Sequence, residues 1–219
     1  MENLWLILIV VISYLLGAIP TAYLVIRKKT GGDIRDTGTG NIGAMNVARA
    51  TESLWYFALT WIIDMAKAAL AIFISRWLAF LGYSPDWGLI IAVMGIFLGH
   101  NWSVFLKFSG GKGISCLMGT LLVLEPLLLF LPWGLICIIS ILATKRLFAG
   151  QIISIISLPF LGYFLAPYLT PQPEWMFSIQ YFYLILTLVI AIPMFIRHAP
   201  RIKPLLQGKE PRWYWKERG

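Results

Sequence analysis

Between Glu2 and Arg27 the chain carries no charged side chain, and residues 4–26 read LWLILIVVISYLLGAIPTAYLVI. An apolar stretch of roughly 18 residues or more is a membrane-span candidate. Further apolar runs follow at about 53–81, 88–106, 114–125, 127–143, 151–168 and 177–196. Charged residues make up 13% of the chain and the mean hydropathy is +0.78, against ~25% charged in soluble domains. The 219 residues then allow one integral-membrane domain, 1–219, ending in a basic and aromatic tail, 197–219. A separate soluble domain has no room.

The run 114–125 is too short to cross ~30 Å as a straight helix at ~1.5 Å per residue. Fusing it with 127–143 is opposed by Glu125-Pro126, because a mid-membrane Glu is costly and Pro ends or kinks a helix. Basic residues decide the count. With seven spans and an outside N-terminus, 16 of the 18 Lys and Arg fall in cytoplasmic segments, as positive-inside placement requires. The outside loops, near 84–86 and 170–174, have none. The reading is therefore an all-α polytopic protein with about seven transmembrane helices and a cytoplasmic C-terminus. The N-terminus, MENLWLILIV, lacks the basic start of a signal peptide and reads as an uncleaved first helix. The net charge of +8 is then a membrane signature and not a nucleic-acid footprint. Trp87, Trp102, Trp175 and the tail RWYWKERG suit the aromatic belts of membrane interfaces. Cys116 and Cys137 lie inside apolar runs and read as small packing residues with no metal ligands beside them.

Two polar loops share the cytoplasmic face. The first, GGDIRDTGTGNIGAMNVARAT from Gly31 to Thr51, interleaves glycines with Arg35, Thr39, Gly40, Asn41, Asn46 and Arg49. Glycines let backbone N–H groups turn toward an anion, Asn adds donors, and Arg offers a planar fork for phosphate. Simple flexibility with inside-facing charge would also produce such a loop. The second loop, Gly110-Gly111-Lys112-Gly113, opens the fourth run. A helix N-terminus preceded by glycines is a ready phosphate site, since close approach is unhindered and Lys112 adds a charge. It is not a Walker A loop: Leu106 and Gly113 occupy positions that need Gly and Ser/Thr. His100 lies near the inner end of the third run, where an embedded polar group points to function. Asp64 and Lys67, three residues apart on the second run, read as a mutually neutralising structural pair.

Taken together these residues resemble the bacterial membrane glycerol-3-phosphate acyltransferases that use acyl-phosphate, the PlsY family. Ala18-Ile19-Pro20 is similar to the family's entry into span one. Asp33-Ile34-Arg35 through Gly38-Thr39-Gly40-Asn41-Ile42-Gly43 to Asn46-Val47 and Arg49 resembles its first signature loop, and Gly99-His100, Val104-Phe105 and Gly110 to Gly113 its second. Asp64 with Lys67, Pro159, and Arg197-His198 also fall where the family has such residues. Thr39 stands for a usual Ser, Met45 for Thr, Ala18 for Ser and Ser109 for Lys. The third motif departs most: its Arg and two Ser correspond to Lys145, Phe148 and Gln151, and its late Asn-Ile pair to Arg201-Ile202.

The resemblance implies a multi-pass protein of the cell inner membrane with its site facing the cytoplasm. Its substrates would be acyl-phosphate and glycerol 3-phosphate, with membrane lipids around it and the enzyme supplying acyl-phosphate as a partner. No cofactor, metal or nucleic acid is expected. His100, Lys112 and Asn41 are the expected catalytic residues. Arg35, Thr39, Gly40, Asn46, Arg49, Gly110, Gly111 and Gly113 are the expected substrate-binding ones. An activated donor needs no Ser or Cys nucleophile, and no persuasive triad is present. Two other readings stand beside it: a silent or acceptor-altered family member acting as a binding or scaffold subunit, and an organic-anion transporter. The transporter reading lacks polar residues along the middle of several spans.

Overall fold

The computed structural model describes residues 2–85, 87–169 and 178–210. The tail RWYWKERG, Trp175 and the outside loop at 170–174 lie outside the described residues. Among the described residues ten α-helices are found, in two units, Met1–Leu124 and Glu125–Gly219.

In the first unit, the expected span 4–26 is two helices, α1 (Glu2–Ala18) and α2 (Thr21–Thr30). Pro20 lacks the N–H that would continue the ladder. The loop that follows is folded. A short 3-10 turn, Ile34–Asp36, leads to helix α3 (Ala44–Thr51). Helix α4 (Leu54–Phe80) has the length expected of the second run. Helix α5 (Gly88–Asn101) is shorter than the expected 88–106, because Trp102 leaves helical geometry and a tight turn takes over. Helix α6 (Ile114–Leu124) stops before Glu125-Pro126.

Helices α1 and α5 meet backbone to backbone. A Cβ at Gly99 would lie 2.1 Å from the Tyr14 carbonyl oxygen, and one at Gly17 would lie 2.3 Å from that of Ile96. Gly95 and Gly99, four residues apart, let α1 approach, as small residues do at helix interfaces in lipid. Gly119 serves α6 against Met65 of α4 in the same way.

In the second unit, a π-helical turn at Pro126–Phe130 leads into α7 (Leu131–Thr144), followed by α8 (Leu147–Leu165) and α9 (Ile179–His198). The Glu125 carbonyl accepts from the Leu129 and Phe130 N–H groups. The buried Glu125 carboxylate accepts from Tyr183 Oη at 2.9 Å. After α9 the chain turns through Ala199–Arg201 into α10 (Ile202–Leu206). The Arg146 guanidinium donates to the Leu205 and Gly208 carbonyls at 3.2 and 3.3 Å.

Among the described residues, five helical segments are long and apolar enough to cross a membrane: Asn3–Thr30, Leu54–Phe80, Leu127–Thr144, Leu147–Tyr168 and Ile179–Leu206. The two remaining apolar helices, α5 and α6, have 14 and 11 residues. At ~1.5 Å per residue these cover only about 21 and 16 Å. All seven lie where the sequence places apolar runs. The outer faces of the five long segments carry exposed Leu, Ile and Phe, such as Ile62, Phe73, Ile139, Phe160 and Ile192, the pattern of surfaces that meet lipid.

Candidate active site

The site begins with the break in the first span. Breaking a helix at Pro20 leaves the last carbonyls of α1 without intrahelical partners, and these lie in apolar surroundings. The Lys67 ammonium donates to the Gly17 and Ile19 carbonyls at 3.0 and 2.9 Å. Asp64 neutralises it at 2.9 Å, and Thr21 Oγ1 donates to the same Asp64 oxygen at 2.9 Å. Both charged residues are buried, at 2% and 6% exposure. Ser103 Oγ donates to the Ala18 carbonyl, and Tyr14 Oη to that of Trp102. The broken span is thus tied to α4 and to the end of α5.

The first loop is ordered from within. Asp33 Oδ1 accepts from the Arg35 N–H, and its carboxylate holds the Arg35 guanidinium through Nε and Nη2. That guanidinium keeps the Asp33 carboxyl below the usual carboxylate range, while the carboxylate raises the Arg35 pKa. Ile34 plugs an apolar cluster with Ala22, Ile26, Ile42, Val47 and Leu106. Asn46, 1% exposed, donates to the Ile34 and Thr37 carbonyls and accepts from the Thr39 N–H. Its amide is therefore engaged with the loop's own backbone. Gly38 sits at φ 53° with Asn46 Oδ1 where a side chain would begin, so the left-handed turn needs glycine.

The second loop closes against the first. The Gly111 N–H donates to the His100 carbonyl at 2.9 Å. A Cβ at Gly111 would lie 2.2 Å from His100 Nε2 and 2.8 Å from the Ile42 carbonyl oxygen, and one at Gly110 2.3 Å from the His100 carbonyl oxygen. The sequence suggests that these glycines leave room for a phosphate. Instead, the space beside Gly110 and Gly111 is occupied by the protein's own His100, Asn101 and Ile42. Gly113, at φ 87°, turns the chain into α6, and half-buried Lys112 lies between it and Gly111.

These pieces wall a narrow cleft with about 10 Å³ of accessible space. Its lining includes residues 17–22, Ile42, the Asp64–Lys67 pair, His100, Ser103, Leu106, Gly110 and Gly111. Of the expected site residues, His100, Gly110 and Gly111 line it directly. Lys112 and Gly113 follow Gly111, and Asn41 precedes Ile42. Arg35, Thr39 and Arg49 are exposed, Gly40 is half-buried, and Asn46 is buried within the loop. The sequence reading gave Asp64 and Lys67 only a structural role and missed that they face the cleft. The signal was available: a proline break inside an apolar run calls for a buried donor elsewhere.

Among the described residues, no three His, Cys, Asp or Glu side chains gather as metal ligands. In the second unit, the positions of the divergent third motif form a stack. Buried Phe148 lies against the His198 ring, 5.5 Å between centroids. The Arg201 guanidinium sits 5.7 Å above the Phe148 ring, and Glu210 is 3.4 Å from Arg201. His198 Nδ1 is 2.7 Å from the Met194 carbonyl. Lys145 is exposed and Gln151 half-buried.

Fold and site define a polytopic α-helical membrane protein with a polar cleft built from helix ends and two glycine loops. Residues 7–208 match the family model described as glycerol-3-phosphate acyltransferase. A relative from Moorella thermoacetica, glycerol-3-phosphate acyltransferase 2, is 36% identical and covers 94% of this chain and 96% of its own. One from Cereibacter sphaeroides, glycerol-3-phosphate acyltransferase, is 38% identical, with 96% of both chains covered. The fold is similar to the crystal structure of PlsY, an integral membrane glycerol 3-phosphate acyltransferase, in its glycerol 3-phosphate form. That match has a TM-score of 0.77 and 29% identity, over 95% of this chain and 96% of that one. The lysophosphatidic acid form matches with the same TM-score at 27% identity, over 95% of each chain. The chain belongs to the glycerol-3-phosphate acyltransferase family.

Proposed function

We propose that this membrane acyltransferase moves a fatty acyl group from acyl-phosphate to the sn-1 hydroxyl of glycerol 3-phosphate, giving 1-acyl-glycerol 3-phosphate and phosphate. The observation that carries this reading is the convergence of both glycine loops on His100 in one cleft. Both substrates bear a phosphate, and half-buried Lys112 of the second loop stands near the polar side chains of the first, two neighbouring sets of candidate phosphate contacts. The glycerol hydroxyl attacks the acyl carbonyl carbon, the carbon–oxygen bond to phosphate breaks, and the hydroxyl proton passes to the departing phosphate. No covalent intermediate on the protein is needed. Holding the two substrates together supplies orientation, which is worth up to ~7–11 kcal/mol. Lys112 and nearby N–H groups stabilise developing charge, and His100 orients or donates to a reacting oxygen. Asn41, Arg35, Thr39, Gly40 and Arg49 hold the second phosphate, on a loop that Asn46 keeps in shape. The site faces the cytoplasm of the inner membrane, where the enzyme that makes acyl-phosphate delivers its product.

The test is purified protein in vesicles with labelled glycerol 3-phosphate and palmitoyl phosphate, and with palmitoyl-CoA in parallel. Lysophosphatidate from the acyl-phosphate alone supports the reading. Turnover only with the thioester refutes the donor. A second reading, an acceptor-altered or silent member, is favoured by the Phe148–His198 stack in place of the third motif. It predicts no lysophosphatidate from either donor while glycerol 3-phosphate or a related phosphate still binds.

A further inference from the structure

Residues Ser103 to Ser109 form a tight hairpin between α5 and the second glycine loop. The Ser103 N–H donates to the Ser109 carbonyl, and the Phe108 N–H donates to the Ser103 carbonyl. Lys107 and Phe108 stand consecutively at φ 53° and 60°, left-handed backbone that is strained for a residue with a bulky Cβ. Such strain persists only where the surroundings impose it. Here it splits the hairpin into two faces. Ser103 and Leu106 are buried, at 2% and 5% exposure, and line the cleft. Val104, Phe105 and Phe108 point away, at 44%, 58% and 63%, with exposed Lys107 among them.

We infer that this hairpin is the lip over which the fatty chain of the acyl donor passes from the bilayer into the cleft. Two exposed phenylalanines and a valine beside a lysine suit the boundary between lipid headgroups and acyl chains. The rings enter the apolar layer and the ammonium reaches anionic phosphates. The hairpin also joins the ends of two apolar helices, α5 and α6. Its inner face is a wall of the cleft, and the connection between the two is one residue long at each step. The occupant of the outer face is therefore lipid acyl chain. The inference rests on the acyl-phosphate reading, and the experiment has one arm that does not.

In the first arm, Cys116→Ala and Cys137→Ala clear the background, and a nitroxide is placed at Phe108→Cys or, as an aqueous control, at Asp36→Cys. The protein is reconstituted in phosphatidylcholine–phosphatidylglycerol vesicles. Oxygen collisions should dominate those of a soluble nickel chelate at position 108, with the reverse at position 36. A water-exposed label at 108, or one shielded from both relaxants as under a bound protein, overturns the lip. In the second arm, Phe105→Ser with Phe108→Ser should raise the KM for palmitoyl phosphate about tenfold, the effect of losing a few tens of Å² of apolar contact. The KM for glycerol 3-phosphate and the melting temperature should stay unchanged. An unaltered KM for the donor overturns the lip even if the label lies in lipid. A wild type that makes no lysophosphatidate from any acyl-phosphate defeats the functional reading, and the collision data then decide the surface by themselves.

Discussion

A methyl group at Gly111 would fall 2.2 Å from His100 Nε2, so Gly111→Ala must displace the imidazole or open the loop. Turnover should fall at least about a hundredfold, the scale of losing one preorganised donor, and the melting temperature should fall as well, because the new Cβ also meets the Ile42 backbone carbonyl at 2.8 Å. Lys112→Ala should fall as far. Lys112→Arg should not rescue it if the ammonium is a compact phosphate ligand, since the guanidinium fork is wider. Near-normal rates for both Gly111→Ala and Lys112→Ala would reduce the loop to a turn. A second expectation concerns Asp33. Its carboxyl is held low by Arg35, so its contribution to loop order is present above the usual carboxylate range and is lost as pH falls through the depressed value. The raised pKa of Arg35 lies above working pH and adds no transition there. NMR titration should show Asp33 returning to the ordinary range in Arg35→Gln, with a smaller difference at high salt because the pair is exposed. Sequence reading could put forward His100, Lys112 and the glycines as candidates because their chemistry is intrinsic. It could not separate the inward Asn46 from the outward Arg49, because that difference lies in which backbone carbonyls the fold brings within reach.

The first span shows how an element can be legible in composition and illegible in shape. Residues 4–26 contain enough apolar length for one helix, and only the structure shows it parted at Ile19-Pro20 and held by Lys67. Lys67→Met removes two hydrogen bonds to the Gly17 and Ile19 carbonyls and leaves Asp64 buried without its partner. The expected cost is about 3–5 kcal/mol, read as a large fall in thermal midpoint in detergent. Asp64→Asn combined with Lys67→Met should recover part of that loss, because the uncompensated charge is gone while the carbonyls still lack a donor. No recovery would mean that the pair's electrostatics matter less than its hydrogen bonds. The end of α6 was the opposite case: Glu125-Pro126 announced the stop, and the helix ends at Leu124.

Hydropathy located the five candidate spans and the two shorter apolar helices found among the described residues, since each run is an unbroken stretch of composition. It could not give the length of α5, because that helix ends where a backbone turn begins and not where the apolar character ends. The Lys and Arg distribution predicts which side each end faces. Single cysteines at Lys28, Lys107 and Thr144 should react with an impermeant maleimide only from the cytoplasmic side, and one at Tyr83 only from the other. All four positions are exposed. Labelling of positions 83 and 107 from the same side would contradict the orientation.

The parted first helix also has a temporal consequence. The Ile19 carbonyl and the Lys67 ammonium are 48 residues apart in the chain. At ribosomal speeds of ~5–20 residues per second, the first hydrophobic segment emerges some seconds before its clasp exists. During that interval the broken end must find water or lipid headgroups, so it cannot yet sit deep in hydrocarbon. Lys67 reaches it already accompanied by Asp64, three residues earlier on the same helix, which lowers the charge that the insertion machinery has to pass into the bilayer. The first segment therefore completes its final seating only after the second has entered, and the cleft cannot exist before both have done so.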